Sequence, residues 1–138
     1  MRWDVLHGFL ELFICCIYEK GILLVKSGKV WGTTEILMQS PIIEIHRIII
    51  NKGGFCSNHK HEFKWNMFYV IKGTLQILVH KNNYDLVDTT ELVSGQYTTI
   101  RPGEYHSFKA VSDVYALEIY YPELLSEDIV RKTVGGVI

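Results

Sequence analysis

At 138 residues the chain has the length of one domain and is long enough to bury a core without disulfide staples. Fourteen Lys and Arg against fifteen Asp and Glu give a formal net charge of -1 with no block of like charge, which argues against nucleic acid or an anionic membrane as the main partner. The cysteines are three, an odd number, with Cys15 and Cys16 adjacent, so a disulfide framework is not expected and the setting reads as reducing and cytoplasmic.

Residues 8–18 are almost continuously apolar, but the run contains Glu11 and ends in Glu19-Lys20. It is short of the roughly twenty apolar residues of a membrane span and lacks the positive start and small-residue cleavage site of a signal peptide. The expected role is a buried element or a face toward a second copy of the chain, with residues 1–28 forming an apolar extension and residues 29–138 the domain. From Trp31 onward the pattern predicts strands over 34–38, 42–50, 67–72, 74–80, 84–87, 97–100, 107–111 and 114–121, each rich in Ile, Val, Tyr, Phe or Thr. Turn chemistry separates them at Asn51-Lys52-Gly53-Gly54, Lys72-Gly73, Lys81-Asn82-Asn83, Ser94-Gly95 and Arg101-Pro102-Gly103. Short strands at regular spacing without amphipathic helices between them predict an antiparallel sandwich or barrel. Only 123–133 has the character of a short helix.

The residues with most chemistry are His59 and His61, flanking Lys60, and His106. Alternation puts His59 and His61 on one face of an extended segment, roughly 7 Å apart, and turns Lys60 away. A third imidazole from another strand completes a set able to hold a metal with one position left open. Glu118 alternates onto one face with Tyr120, and alternation alone does not say whether that face is interior. Arg47 alternates with Ile43, Ile45 and Ile49, an otherwise apolar face, and so needs an anionic partner, either a substrate phosphate or a protein carboxylate. His46 reads as an outward side chain of the same strand. Cys56 reads as a small apolar group, and Phe63, Trp65, Phe68 and Tyr69 as core or pocket wall.

The spacing Gly53-x5-His59-Lys60-His61-x4-Asn66-x6-Gly73, followed by Gly95-x5-Arg101-Pro102-Gly103-x2-His106-x3-Ala110, resembles the two motifs of the cupin superfamily. Asn66 stands where those motifs carry a glutamate, Arg101 in place of a proline and Ala110 in place of an asparagine. The resemblance implies an all-β fold, a single double-stranded β-helix (jelly-roll) barrel with a short C-terminal helix or extension. Within the superfamily the chain is most similar to the type II mannose-6-phosphate isomerase domain often fused to a mannose-1-phosphate guanylyltransferase. Lys29-Val30-Trp31-Gly32 resembles its R-P-W-G opening, His46-Arg47-Ile48 its K-R-I strand and Ser126-Glu127-Asp128-Ile129-Val130-Arg131 its E-D-D-I-V-R ending. The likeness fails at the family's H-H-H-R-A-E-H-W block, where this chain has His59-Lys60-His61-Glu62-Phe63-Lys64-Trp65-Asn66.

What the resemblance implies is a divalent metal, one of zinc, iron, nickel or manganese, held by His59, His61 and His106, and a small-molecule substrate such as a sugar phosphate. Asn66 could coordinate weakly through its carbonyl oxygen, hydrogen-bond a bound ligand or cap a turn; with Arg47 it is a candidate for substrate binding, and since it is no base, a base must come from Glu62, Glu118, Tyr105 or His46. Of these, Glu118 and Tyr105 are the expected catalytic pair in an aldose-ketose isomerisation. Two other readings stay open: a three-histidine iron dioxygenase of the thiol dioxygenase type, and a sugar-binding or regulatory cupin without catalysis. A homodimer is expected from the sheet edges and the apolar N-terminal segment.

Overall fold

The computed structural model describes residues 25–82, 85–123 and 130–137, and of the segment before them the backbone of Tyr18–Glu19 (β1) and Ile22–Leu23 (β2), which pair with each other. The predicted helix over 123–133 falls mainly on residues outside the described set, as does the apolar run before Tyr18. The other strands are Val25–Lys29 (β3), Gly32–Gln39 (β4), Glu44–Ile50 (β5), Trp65–Lys72 (β6), Leu75–His80 (β7), Val87–Leu92 (β8), Tyr97–Ile100 (β9), Tyr105–Ala110 (β10) and Val114–Tyr121 (β11). They form a six-stranded sheet in the order β3-β4-β5-β11-β6-β9 and a three-stranded sheet in the order β10-β7-β8, all antiparallel. The described residues contain no helix, so the expected all-β jelly-roll architecture is the observed one.

The inner faces follow the period of two that strands impose. Ile48 and Ile50 of β5, Phe68 and Val70 of β6, Leu75 and Ile77 of β7, Phe108 and Ala110 of β10, and Val114 and Ala116 of β11 meet in one buried cluster closed by Ile100 and Leu92. Burying a large aliphatic or aromatic side chain contributes about 1.5–3 kcal/mol, so this cluster holds the two sheets face to face. Two glycines of the motifs have a direct steric reason. Gly73 sits at a φ of 92°, and a Cβ there would lie 2.1 Å from the Asp113 carbonyl oxygen. Gly103, at a φ of 83°, turns the chain into β10 while its amide donates to the His61 carbonyl at 2.8 Å.

Two strands differ from the expectation. The predicted strand over 84–87 is instead Val87–Leu92, whose Asp88, Thr89, Thr90 and Glu91 are exposed. It is an edge strand held by its ladder to β7 and anchored by buried Leu92, so its sequence lacks the apolar pattern of a covered strand. The strand predicted to begin at residue 42 begins at Glu44, because Ser40 accepts the Ile43 amide through Oγ and donates its own amide to the Ile43 carbonyl, forming a turn. No helix among the described residues is long and apolar enough to cross a membrane.

Candidate metal centre

The site lies between the sheets and draws on both. His106 is the second residue of β10, and its neighbour in the strand, Tyr105, therefore points to the opposite face. His59 and His61 come from the extended segment joining β5 to β6. That segment is locked to β10 at His59, whose amide donates to the His106 carbonyl at 3.0 Å while the His106 amide donates back at 2.8 Å. The three rings converge, with centroids 4.7 Å apart for His59 and His106, 5.1 Å for His59 and His61, and 5.5 Å for His61 and His106. One nitrogen of each lies within 4.8 Å of the other two.

The tautomers follow from the partners. His59 Nδ1 faces the Ser57 carbonyl at 2.8 Å and His106 Nδ1 faces the Glu104 carbonyl at 2.9 Å. A carbonyl oxygen only accepts, so both Nδ1 atoms carry the hydrogen and both Nε2 atoms present a lone pair. His61 Nε2 is buried with no hydrogen-bond partner, and so is Asn66 Oδ1. Lone pairs converging from three imidazoles, with an orphaned buried nitrogen among them, fit a divalent cation bound by nitrogen ligands.

Burial favours the neutral, ligating forms of His61 and His106. Burial, then the neighbouring His59 and His106 and the Lys64 ammonium, push His61 down to about 4, and burial also lowers His106. In metal-free protein a histidine that stays neutral when folded but takes a proton near 6.5 when unfolded favours the unfolded chain as pH falls. The His61 contribution to stability should therefore decline from about pH 6.5 to about pH 4 and level off below, once His61 is charged in both states. Urea titrations of chelator-treated protein across this range are expected to give a shallower pH slope for His61→Gln than for the parent. Equal slopes would remove His61 as the source.

The six-stranded sheet closes the site from the other side. Asn66 of β6 is buried, and its Nδ2 donates to Glu118 Oε1 at 3.1 Å and lies 3.3 Å from His106 Nε2. The Tyr120 hydroxyl donates to the same Glu118 oxygen at 2.7 Å, and burial followed by the Glu118 charge raises the Tyr120 pKa. The Tyr120 ring meets His61 at 5.0 Å and His46 at 5.4 Å. A cavity of about 380 Å³ opens here, walled by Trp31, His46, His59, Glu118 and Tyr120 among others, with Lys29 at its edge.

Several sequence expectations find their place and others do not. Glu118 is interior and beside Asn66, which settles the face that alternation left open. Tyr105 is 47 % exposed on the outer surface, where the Lys60 ammonium sits 5.4 Å above its ring and pairs with exposed Glu62 at 2.8 Å. The structure does not bring Tyr105 or Glu62 to the histidines. The tyrosine at the site is Tyr120, which alternation puts on the face of Glu118. Cys56 packs as expected, its thiol pushed up to about 11 by burial and accepting the Phe108 amide.

On β5 the two faces are the reverse of the expectation. His46 shares the inner face with Ile48 and Ile50 and lines the cavity, and Arg47 lies outside, where Nε donates to Glu35 Oε2 at 2.8 Å and Nη2 to the same oxygen. The anionic partner of Arg47 is thus a protein carboxylate, itself buried, and not a substrate at the histidine cavity. Arg47→Ala is expected to cost roughly 1–3 kcal/mol in urea denaturation by stranding Glu35, and to leave ligand binding at the cavity unchanged. A variant with parental stability and lost ligand binding would restore the substrate role.

The antiparallel two-sheet barrel thus brings three converging imidazoles and the Glu118 carboxylate to one cavity around a candidate metal position. The chain belongs to the cupin family: the family model described as "Cupin domain" matches residues 46–121. A curated relative, mannose-1-phosphate guanylyltransferase of Klebsiella pneumoniae, is 27% identical over 100 residues, covering 71% of this chain and 20% of that protein. The chain thus spans about a fifth of that relative's length. Among solved structures it is similar to KdgF from Halomonas sp. (TM-score 0.60, 15% identity, 70% of this chain and 84% of the other). It is also similar to the capsular polysaccharide assembling protein CapF of Staphylococcus aureus (TM-score 0.64, 19% identity, 78% and 31%). A third likeness is to oxalate decarboxylase of Bacillus subtilis (TM-score 0.63, 14% identity, 77% and 29%). At these identities the likeness concerns the fold.

Proposed function

We propose that this cupin binds a divalent metal through His59, His61 and His106 and isomerises an open-chain sugar phosphate or similar small polar carbohydrate between aldose and ketose. The observation that carries the reading is the Glu118 carboxylate, fixed by Asn66 and Tyr120 beside the three imidazoles. The name of the Klebsiella relative supports a mannose phosphate as the kind of sugar. A divalent ion in the site would supply Lewis acidity to the carbonyl and neighbouring hydroxyl of the sugar.

The chain's own groups do the proton work. Glu118 takes the proton from the carbon next to the carbonyl and returns it to the adjacent carbon. Tyr120 and Asn66, both donating to Glu118 Oε1, leave its second oxygen to act and fix its direction. His46 lies directly across the β5–β11 ladder from Glu118, within reach of the hydroxyl that gains or loses a proton as the carbonyl moves.

A second reading, an iron oxygenase, is favoured by one feature: with Asn66 in the motif position the three grouped ligand atoms are all nitrogen. The test is metal analysis of the purified protein followed by a panel of hexose phosphates in deuterated water. Interconversion with deuterium entering at C1 of the ketose and C2 of the aldose is the expected result. Oxygen consumption by an iron-loaded form, with no interconversion of any hexose phosphate, would replace isomerisation by the oxygenase reading.

A further inference from the structure

Besides the three grouped imidazoles a fourth, His46, reaches the same cavity, and it is held in the opposite sense. His59 and His106 turn Nδ1 to a main-chain carbonyl and present Nε2. His46 instead turns Nε2 to Glu44 Oε2, at 3.3 Å, two residues back on the same inner row of β5. Its Nδ1 has no hydrogen-bond partner among the described residues and is not one of the atoms buried without one, so it stays open to the cavity that His46 lines. Glu44 is itself fixed. Its Oε1 accepts from Gln39 Nε2 at 3.1 Å, and its Oε2 lies 3.6 Å from Lys64 Nζ, which sits 5.0 Å above the Tyr120 ring. Burial raises the Glu44 pKa, but the hydrogen bonds from Gln39 and His46 and the Lys64 charge lower it overall, so the carboxyl is an anion. An anion only accepts, which leaves the ring hydrogen on Nε2 and the lone pair on Nδ1. A carbonyl fixes a tautomer and does no more. A carboxylate also stabilises the imidazolium that forms when the ring takes up a proton.

An aldose-ketose isomerisation moves two protons, one between neighbouring carbons and one between their oxygens. Glu118 serves the carbons, and His46 stands directly opposite it in the β5–β11 ladder. We propose that Glu44 and His46 form a carboxylate-imidazole dyad that moves the oxygen-bound proton, with His46 the catalytic residue and Glu44 the positioning residue behind it. From aldose to ketose, Glu118 carries the C2 proton to C1. His46 Nδ1 takes the proton of the C2 hydroxyl as the C2 carbonyl forms and gives it to the oxygen on C1, so both residues end as they began. This role rests on the isomerisation proposed above.

Glu44→Gln keeps an oxygen that accepts from His46 Nε2 and removes only the charge. It is expected to slow interconversion of mannose 6-phosphate, or of the aldose phosphate the panel above identifies, about tenfold with KM little changed. His46→Gln should slow it about 10²-fold. The double variant should be no slower than His46→Gln, because Glu44 acts only through the ring. In both single variants Glu118 still removes the carbon proton, so in deuterated water the deuterium at C2 of recovered aldose should rise relative to the ketose formed. A merely structural loss would lower exchange and interconversion alike. Nitrogen-15 NMR of the neutral His46 ring in chelator-treated protein should place its hydrogen on Nε2. Single variants within twofold of an active parent, losses that add in the double variant, an unchanged exchange ratio or a hydrogen on Nδ1 would each overturn the dyad. An inactive parent is a different failure: it sinks the isomerase reading, and the proton role that rests on it, even with the ring hydrogen on Nε2.

Discussion

Replacing His106 by alanine is expected to strip the protein of stoichiometric metal. The side chain is 1 % exposed, its Nδ1 is committed to the Glu104 carbonyl, and its Nε2 is the only one of the three ligand nitrogens supplied by a strand of a sheet. Two imidazoles are a poor substitute for three, and losing a partner that merely supports a ligand already costs about 10–100-fold in affinity, so losing the ligand should cost at least about 100-fold. The barrel should survive, because the pair of hydrogen bonds between residues 59 and 106 is made by main-chain atoms and the core cluster lies deeper in the barrel. Elemental analysis after gel filtration in buffer of controlled metal content, with circular dichroism to confirm the fold, checks both parts. One metal per chain in the folded variant would refute the ligand assignment. Lys60→Ala is the control: that side chain pairs with Glu62 outside the site and should leave metal content unchanged.

These expectations differ in how much of them the sequence carried. His59, His61 and His106 were legible because their geometry is local: two residues apart in an extended segment share a face, and the motif glycines turn the chain where backbone contacts demand it. Tyr105 was legible too in principle, since a residue next to His106 in a strand must face away from it. The facing of His46 and Arg47 was not legible. On β5 both rows are apolar, Ile48 and Ile50 on one side and Ile45 and Ile49 on the other, so alternation identifies two faces without saying which is the core. The same ambiguity leaves open the facing of Glu118 and Tyr120, whose strand carries Leu117 and Ile119 on its opposite row. Only the cross-strand register, pairing Glu118 with His46 on one side and with Phe68 on the other, turns that row inward. The polar strand Val87–Leu92 was missed for a related reason, because an edge strand is held by its backbone and needs little apolar signal.

Glu118→Gln is expected to lower the rate of sugar interconversion by about 10²–10⁴-fold, the usual contribution of a positioned general base. The exchange is close to isosteric, and the new carbonyl oxygen still accepts from Asn66 Nδ2 and the Tyr120 hydroxyl, so folding and metal content should match the parent. What is lost is the carboxylate's capacity to hold a proton between the two carbons. The drop should appear in kcat with KM little changed, because an interaction needed only as the proton moves contributes to the transition state and not to ground-state binding. Tyr105→Phe, on the outer surface, should change neither parameter more than about twofold. Tyr120→Phe should fall between, since it removes one of two donors that orient the carboxylate and leaves the carboxylate itself. An interconversion rate within a few-fold of the parent in Glu118→Gln would move the proton transfer to another group, and His46, opposite Glu118 in the ladder and lining the same cavity, is the one the geometry offers.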